Sequence, residues 1–177
     1  MNEFNTYEFV VTQKVEGAAL MKRIFGIVGL VFGFIIPFAA LCIFNIPQFV
    51  AVLVLVYIPF VIFIWRYFKV EFEYSMTSGI MTFSRVFDSK SRKKLFDVTI
   101  KDFREIAPYT DEAKAHLETL PLDESHVLVS TMSAPDIYYA VFEKDEELHV
   151  VYFEATEKAL HILRYYNMLT KTSKVSR

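Results

Sequence analysis

Residues 24–65 contain no Asp, Glu, Lys, Arg or His, and no other feature of the chain restricts its fold as strongly. A single helix through such a run would measure ~60 Å, about twice the hydrocarbon thickness of a bilayer. One straight spanning helix is therefore excluded. The run is interrupted by Asn45-Ile46-Pro47-Gln48, where Asn45 suits a helix end and Pro47 the first turn of the next helix. The sequence predicts two transmembrane helices, residues 22–44 and 47–68, joined by a tight turn, each near the ~20 residues that a crossing needs. Two core helices of a soluble protein would need polar faces, which residues 50–64 lack.

Lys14, Lys22 and Arg23 precede the first helix, Arg66 and Lys69 follow the second, and the connecting turn carries no cation. The positive-inside rule then places both termini in the cytoplasm and makes this a multi-pass protein of the cell membrane. A secretory signal is a poor reading, because about twenty residues precede an apolar stretch longer than the ~7–15 residues of such a segment. Cys42, the single cysteine, rules out an intramolecular disulfide and follows the bulky Leu41, so no lipoprotein site is expected. The absence of ionisable groups within the spans counts against ion transport. Gly26, Gly29 and Gly33, spaced Gly-x-x-Gly-x-x-x-Gly, allow close helix approach, and they are read as packing the hairpin itself in preference to a homo-oligomer built through it.

After residue 68 the pattern alternates, with Phe72, Tyr74 and Met76 on one side and Glu71, Glu73 and Ser75 on the other. Turn residues then divide the chain into strands at 80–87 and 94–100, a short strand or turn of helix at 102–106, and a short exposed helix at 110–120 capped by Thr110. Strands with hairpin spacing follow at 126–132, 137–143 and 148–153. Thr156 caps a last, amphipathic helix whose apolar stripe is Ala159, Ile162, Leu163, Tyr166 and Leu169. The expected class is α+β: a transmembrane helical hairpin followed by one bent antiparallel sheet of about six strands, closed by the C-terminal helix. The expected organisation is a cytoplasmic N-terminal segment (1–21), whose β-prone residues 6–13 suit an edge strand, the hairpin (22–68) and a cytoplasmic domain (69–177).

The order of hairpin, Glu73-Tyr74-Ser75-Met76-Thr77-Ser78-Gly79, a basic turn through Lys93-Lys94, Asp102-Phe103-Arg104-Glu105-Ile106-Ala107-Pro108, and a final strand and helix through Phe153, Ala155 and Leu160 carries a resemblance. The chain resembles an uncharacterised family of small bacterial membrane proteins whose cytoplasmic part is similar to pleckstrin-homology-like domains. The resemblance implies that fold and a membrane location, and it supplies no catalytic residues.

Nothing in the pattern adds chemistry. His116, His126, His149 and His161 are scattered singly, with no second ligand at metal spacing, and His149 lies near His126 only if their strands pair. Asp123-Glu124-Ser125-His126 holds the residue types of a triad, but neighbours in sequence do not point at one another. No phosphate-cradling glycine loop is present after the hairpin. No catalytic residue, metal or cofactor is therefore expected. A net charge of -2 gives no basic field for nucleic acid, which is not an expected partner.

The charge is nevertheless polarised. Residues 66–104 hold nine Lys and Arg against five Asp and Glu, residues 105–157 two against thirteen, and residues 158–177 five against none. Lys90, Arg92, Lys93 and Lys94 form a basic hairpin suited to an anionic lipid headgroup, with an ordinary solvated turn as the alternative. The expected function is a membrane-anchored, non-enzymatic interaction or scaffold module that presents its domain to a membrane or cytoplasmic protein. Lipid sensing is the second reading, and a membrane-associated enzyme the least supported.

Overall fold

A computed structural model describes residues 6–88 and 90–171, the side chains of Ala18 and Ala19 excepted. The chain forms two compact units: Lys14–Val70, and Met1–Gln13 together with Glu71–Arg177.

The first unit is a helical hairpin, α1 (Gly17–Ile43) and α2 (Val50–Trp65), with short 3-10 turns at Pro47–Phe49 and Arg66–Phe68. Asn45 ends α1 by adopting a left-handed conformation, φ 54°. Its amide donates to the Cys42 carbonyl (3.1 Å) and that of Ile46 to Leu41 (3.0 Å), the reciprocal pair that closes a helix whose next residue is left-handed. Leu20–Ile43 and Pro47–Phe68 are long and apolar enough to cross a membrane, with mean hydropathies of 2.6 and 2.5. The helices meet through the Phe34 and Tyr57 rings, 5.0 Å apart. The Tyr57 hydroxyl donates to the Leu30 carbonyl, which gives a polar group deep in an apolar helix its partner.

Among the described residues the second unit holds eight strands in two sheets of four, where one sheet of about six was expected. In the first, β1 (Thr6–Thr12), β2 (Val70–Thr77), β3 (Ile80–Phe87) and β4 (Ser91–Thr99) lie in sequence order. β1 pairs antiparallel with β2, from Thr6 opposite Thr77 to Thr12 opposite Glu71. The β2–β3 turn places Ser78 and Gly79 at φ 51° and 83°, the doubly left-handed geometry that matches strand twist. A Cβ at Gly79 would also crowd the Tyr166 ring, at 3.0 Å.

The second sheet contains β5 (Phe103–Pro108), β6 (Glu124–Val127), β7 (Ile137–Lys144) and β8 (Glu147–Glu154), in the order β5-β7-β8-β6. The two sheets share an aromatic core in which Phe153 meets Tyr74 and Phe83, each at 6.2 Å, and Phe96 meets Phe142 at 5.7 Å.

Two further expectations are corrected here, and a third is refined. The strand expected at 126–132 with hairpin spacing is instead β6, four residues long and parallel to β8. Tertiary bonds override the β pattern after Val127: the Leu128 carbonyl accepts the Tyr74 hydroxyl, and the Ser130 amide donates to the buried Glu154 carboxylate at 2.7 Å. The helix expected at 110–120, α3 (Asp111–Thr119), is capped by Thr110 and largely exposed as expected, but its Leu117 is buried. Leu117 packs with Ala107, Tyr139, Val141 and Val150 on the outer face of the second sheet. β7 is therefore covered on both faces, which explains six consecutive buried residues from Ile137. Finally, the C-terminal helix α4 (Glu157–Tyr166), capped by Thr156, stops before Leu169, which is exposed. Asn167 ends it by turning inward, its amide donating to the carbonyls of Ile100 (2.9 Å) and Phe103 (2.8 Å).

The role of α3 as a cover is testable. Leu117→Ala should destabilise the protein by about 2–4 kcal/mol through a cavity against Tyr139 and Val150, whereas Glu118→Ala on the exposed side should change stability by less than about 0.5 kcal/mol. Calorimetric melting of both variants in detergent measures the difference.

Candidate functional site

The basic hairpin does not present its four cations as one patch. Arg92 pairs with the buried Glu73 at 2.6 Å, and Lys94 with Asp97 at 2.8 Å. Lys90 lies 3.9 Å from Asp88. Strand alternation sends Lys93 to the other face from Arg92 and Lys94, directly opposite Arg85, whose guanidinium lies over the Phe72 ring at 5.6 Å. Among the described residues Lys93 has no ion-pair partner, and the buried Arg85 Nε has no hydrogen-bond partner. Arg85 and Lys93 are therefore the cations of this hairpin without an ion-pair partner among the described residues, and only Lys93 belongs to the four expected.

In the helical hairpin, Gly26 lies under the Phe68 ring, where a Cβ would come within 2.5 Å of it. Gly29 and Gly33 face open space, with nothing within 4 Å of a Cβ position. The contact of α1 with the 3-10 turn that follows α2 therefore uses Gly26.

A polar cluster that the sequence pattern does not suggest lies between α3 and the second sheet. Glu105 on β5 accepts from Lys171 Nζ at 2.9 Å and faces His116 Nε2 of α3 at 3.2 Å. With Thr110, Ala113 and Tyr139 these side chains line a cavity of about 350 Å³. Burial works to raise the Glu105 carboxyl, but hydrogen bonds from Lys171 and Tyr139 outweigh it and hold the group below its ordinary value of 4.5. Burial, reinforced by Glu105, pushes the Tyr139 hydroxyl up. The one sequence signal was Tyr139 itself, because a tyrosine within an otherwise apolar strand must find a partner for its hydroxyl.

The parallel pairing of β6 with β8 assembles a second cluster. Glu124 lies opposite His149, and His126 two residues further along. His126 Nε2 is 3.3 Å from His149 Nδ1, and the rings are nearly parallel, at 5°. Glu124 lies 3.7 Å from His126 Nδ1 and 3.5 Å from His149 Nδ1. Phe96 and Phe142 form the aromatic wall, at 4.6 Å from the His126 ring and 5.3 Å from the His149 ring. Burial, opposed by the Glu124 carboxylate and assisted by His149 and Lys144, holds the His126 imidazole below its usual value. His126 and His149, scattered in the sequence, thus meet because β6 skips β7 and adds to the far side of β8.

Two four-stranded sheets on a common aromatic core, followed by a C-terminal helix, define an α+β module of pleckstrin-homology-like type. The family model described as "Bacterial PH-like domain (DUF6106)" matches residues 4–171, and the chain belongs to that family. No curated protein and no solved structure matches it. PH-like domains are a non-enzymatic fold family, and on that ground the chain is not assigned an enzymatic activity.

The Glu105 cluster predicts a pH dependence. A carboxyl held below its unfolded value stabilises the fold above about pH 4.5, and that contribution disappears as the pH falls through the lower folded value. Glu105→Gln should therefore cost about 1 kcal/mol at pH 7. The gap to the natural protein should close below pH 4.5, as read from parallel melting curves in detergent.

Proposed function

We propose that this chain is a membrane-anchored, non-catalytic interaction module with both termini in the cytoplasm, whose PH-like domain engages a membrane or cytoplasmic protein. One observation carries the anchoring: neither apolar span is buried within the protein, although both have the length and hydropathy of a crossing. A soluble protein leaves few contiguous apolar surfaces of this size uncovered, and lipid tails are the medium that covers them. Arg23 over Trp65 and Arg66 beside Tyr67 group cations with aromatic rings at one end of the hairpin, as at a membrane interface. The fold family supports a binding role for the domain.

Topology is checked by placing the only thiol at the turn, with Asn45→Cys in a Cys42→Ala background. A membrane-impermeant maleimide should label that thiol in intact cells and should label a C-terminal cysteine only after lysis. Labelling of both positions only after lysis would reject the orientation, and recovery of the chain in the soluble fraction would reject the anchor. The partner is sought by affinity purification from native membranes in mild detergent. A protein retained by the full chain and lost from a chain ending at Lys69 supports the interaction role, and recovery of the chain alone speaks against it.

A second reading, binding of an anionic phospholipid, is favoured by one feature, Lys93, which lies opposite Arg85 and has no ion-pair partner among the described residues. At about 1 kcal/mol per basic residue near an anionic surface, Lys93→Glu should weaken binding of short-chain phosphatidylserine to the full chain in neutral detergent by roughly fivefold or more. Added salt should weaken it further. Titration calorimetry reads both, and unchanged binding rejects the lipid site.

A further inference from the structure

The cluster on β6 and β8 has the composition and spacing of a metal site. A tetrahedral zinc ion with Zn–N and Zn–O distances of ~2.0–2.2 Å holds its ligand atoms roughly 3.3 Å apart. His126 Nε2 and His149 Nδ1 stand 3.3 Å apart, and Glu124 Oε2 is 3.5 Å from the same His149 nitrogen. One atom from each of the three side chains lies within 4.8 Å of the others. This is closer than three independent surface side chains need to be, and all three project from one face of a paired strand edge.

The surroundings complete the argument. His149 directs Nδ1 toward the cluster and Nε2 toward Glu147, 3.8 Å away, the arrangement in which a carboxylate orients a ligating imidazole and fixes its tautomer. Phe96 and Phe142 wall the rings on the protein side and restrict their rotation. Exposure rises from 7% at His149 through 19% at His126 to 58% at Glu124, so an ion has an open approach on the Glu124 side. Two carboxylates, Glu124 and Glu147, and one cation, Lys144, act on the cluster, leaving it net negative.

We propose that Glu124, His126 and His149 bind a divalent ion of the zinc type, with three protein ligands and one coordination position left to water or to a group from a partner. Two imidazoles with one carboxylate favour zinc and its first-row neighbours over magnesium or calcium, which prefer oxygen donors. In the metal-free protein one imidazole donates a hydrogen bond to the other. On binding, that proton moves to the opposite nitrogen of the same ring, so both facing nitrogens present lone pairs and the rings stay neutral. The ion would tie β6 to β8, and the site stands independently of the membrane reading.

The test uses the full chain, purified in detergent without a histidine tag, stripped with chelator and titrated with zinc against a chromophoric competitor. One equivalent should bind and raise the melting temperature, and cobalt should give the intense visible absorption of a tetrahedral site. Glu124→Gln and His126→Gln each remove a direct ligand and should weaken zinc binding by more than the roughly 10- to 100-fold that loss of an outer-shell partner costs, and should abolish the cobalt spectrum and the thermal shift, while His116→Gln leaves all three unchanged. Equal zinc binding by the natural protein and both variants overturns the proposal. So does the absence of a tetrahedral cobalt spectrum in the natural protein, which holds whatever the variants' own stability.

Discussion

The pairing of β1 with β2 is the constraint on which the rest of the architecture depends. Thr12 lies opposite Glu71, so the chain leaves the first sheet and re-enters it on adjacent strands at the same end. Everything between them, including both apolar helices, is an insertion between two hydrogen-bonded neighbours. Closing a loop of that length from a disordered chain would cost roughly 3–4 kcal/mol plus a constant. A helical hairpin offsets much of this, because its antiparallel halves hold the two ends of the insertion near one another. For helices that cross a bilayer the number of crossings must be even, and two is the smallest number that satisfies the sheet. Topology and strand pairing thus require the same answer from different physics.

The second sheet depends on being covered twice. Tyr138 and Phe142 of β7 point into the aromatic core shared with the first sheet, while Tyr139 and Val141 lie beneath α3. A strand with apolar side chains on both faces needs two covers, and the segment after β5 supplies the outer one. This gives a physical role to a stretch that is acidic and weakly hydrophobic in sequence. Leu117 and the partly buried Ala113 are its anchors, and the acidic side chains of its first turn, Asp111 and Glu112, sit favourably at the positive end of a helix dipole.

Local signals were sufficient for much of this. The uncharged run, Asn45 and Pro47 located the helical hairpin, alternation located β2, turn residues located β3, and Thr110 and Thr156 marked the starts of α3 and α4, each by accepting the expected capping bond. What escaped sequence reading was long-range. The division into two sheets, the parallel placement of β6, and the meeting of Glu105 with Lys171 all depend on partners far apart in the chain. Ion pairing was equally hidden. The Lys90-to-Lys94 stretch reads as one basic patch, yet alternation sends Lys93 to one face, and Glu73, whose neighbours suggested only a solvated side, claims Arg92.

The short β6 strand illustrates how a polar cluster becomes fixed at a sheet edge. Four residues of parallel pairing give few ladder bonds, and parallel pairs are slightly weaker per residue than antiparallel ones. The strand is therefore held at its ends. Asp123 exchanges two bonds with Leu148, its amide to the Leu148 carbonyl and its carboxylate to the Leu148 amide, while Leu128 donates to Tyr152 and accepts from Tyr74. Between these anchors the facing side chains have little freedom to choose their neighbours. His126 is placed against Phe96 and His149 whether or not the pairing of the two imidazoles is itself favourable. Geometry imposed by the strand ends thus precedes any ligand, which is the condition under which a small set of donors acts as a site instead of reorganising around an ion.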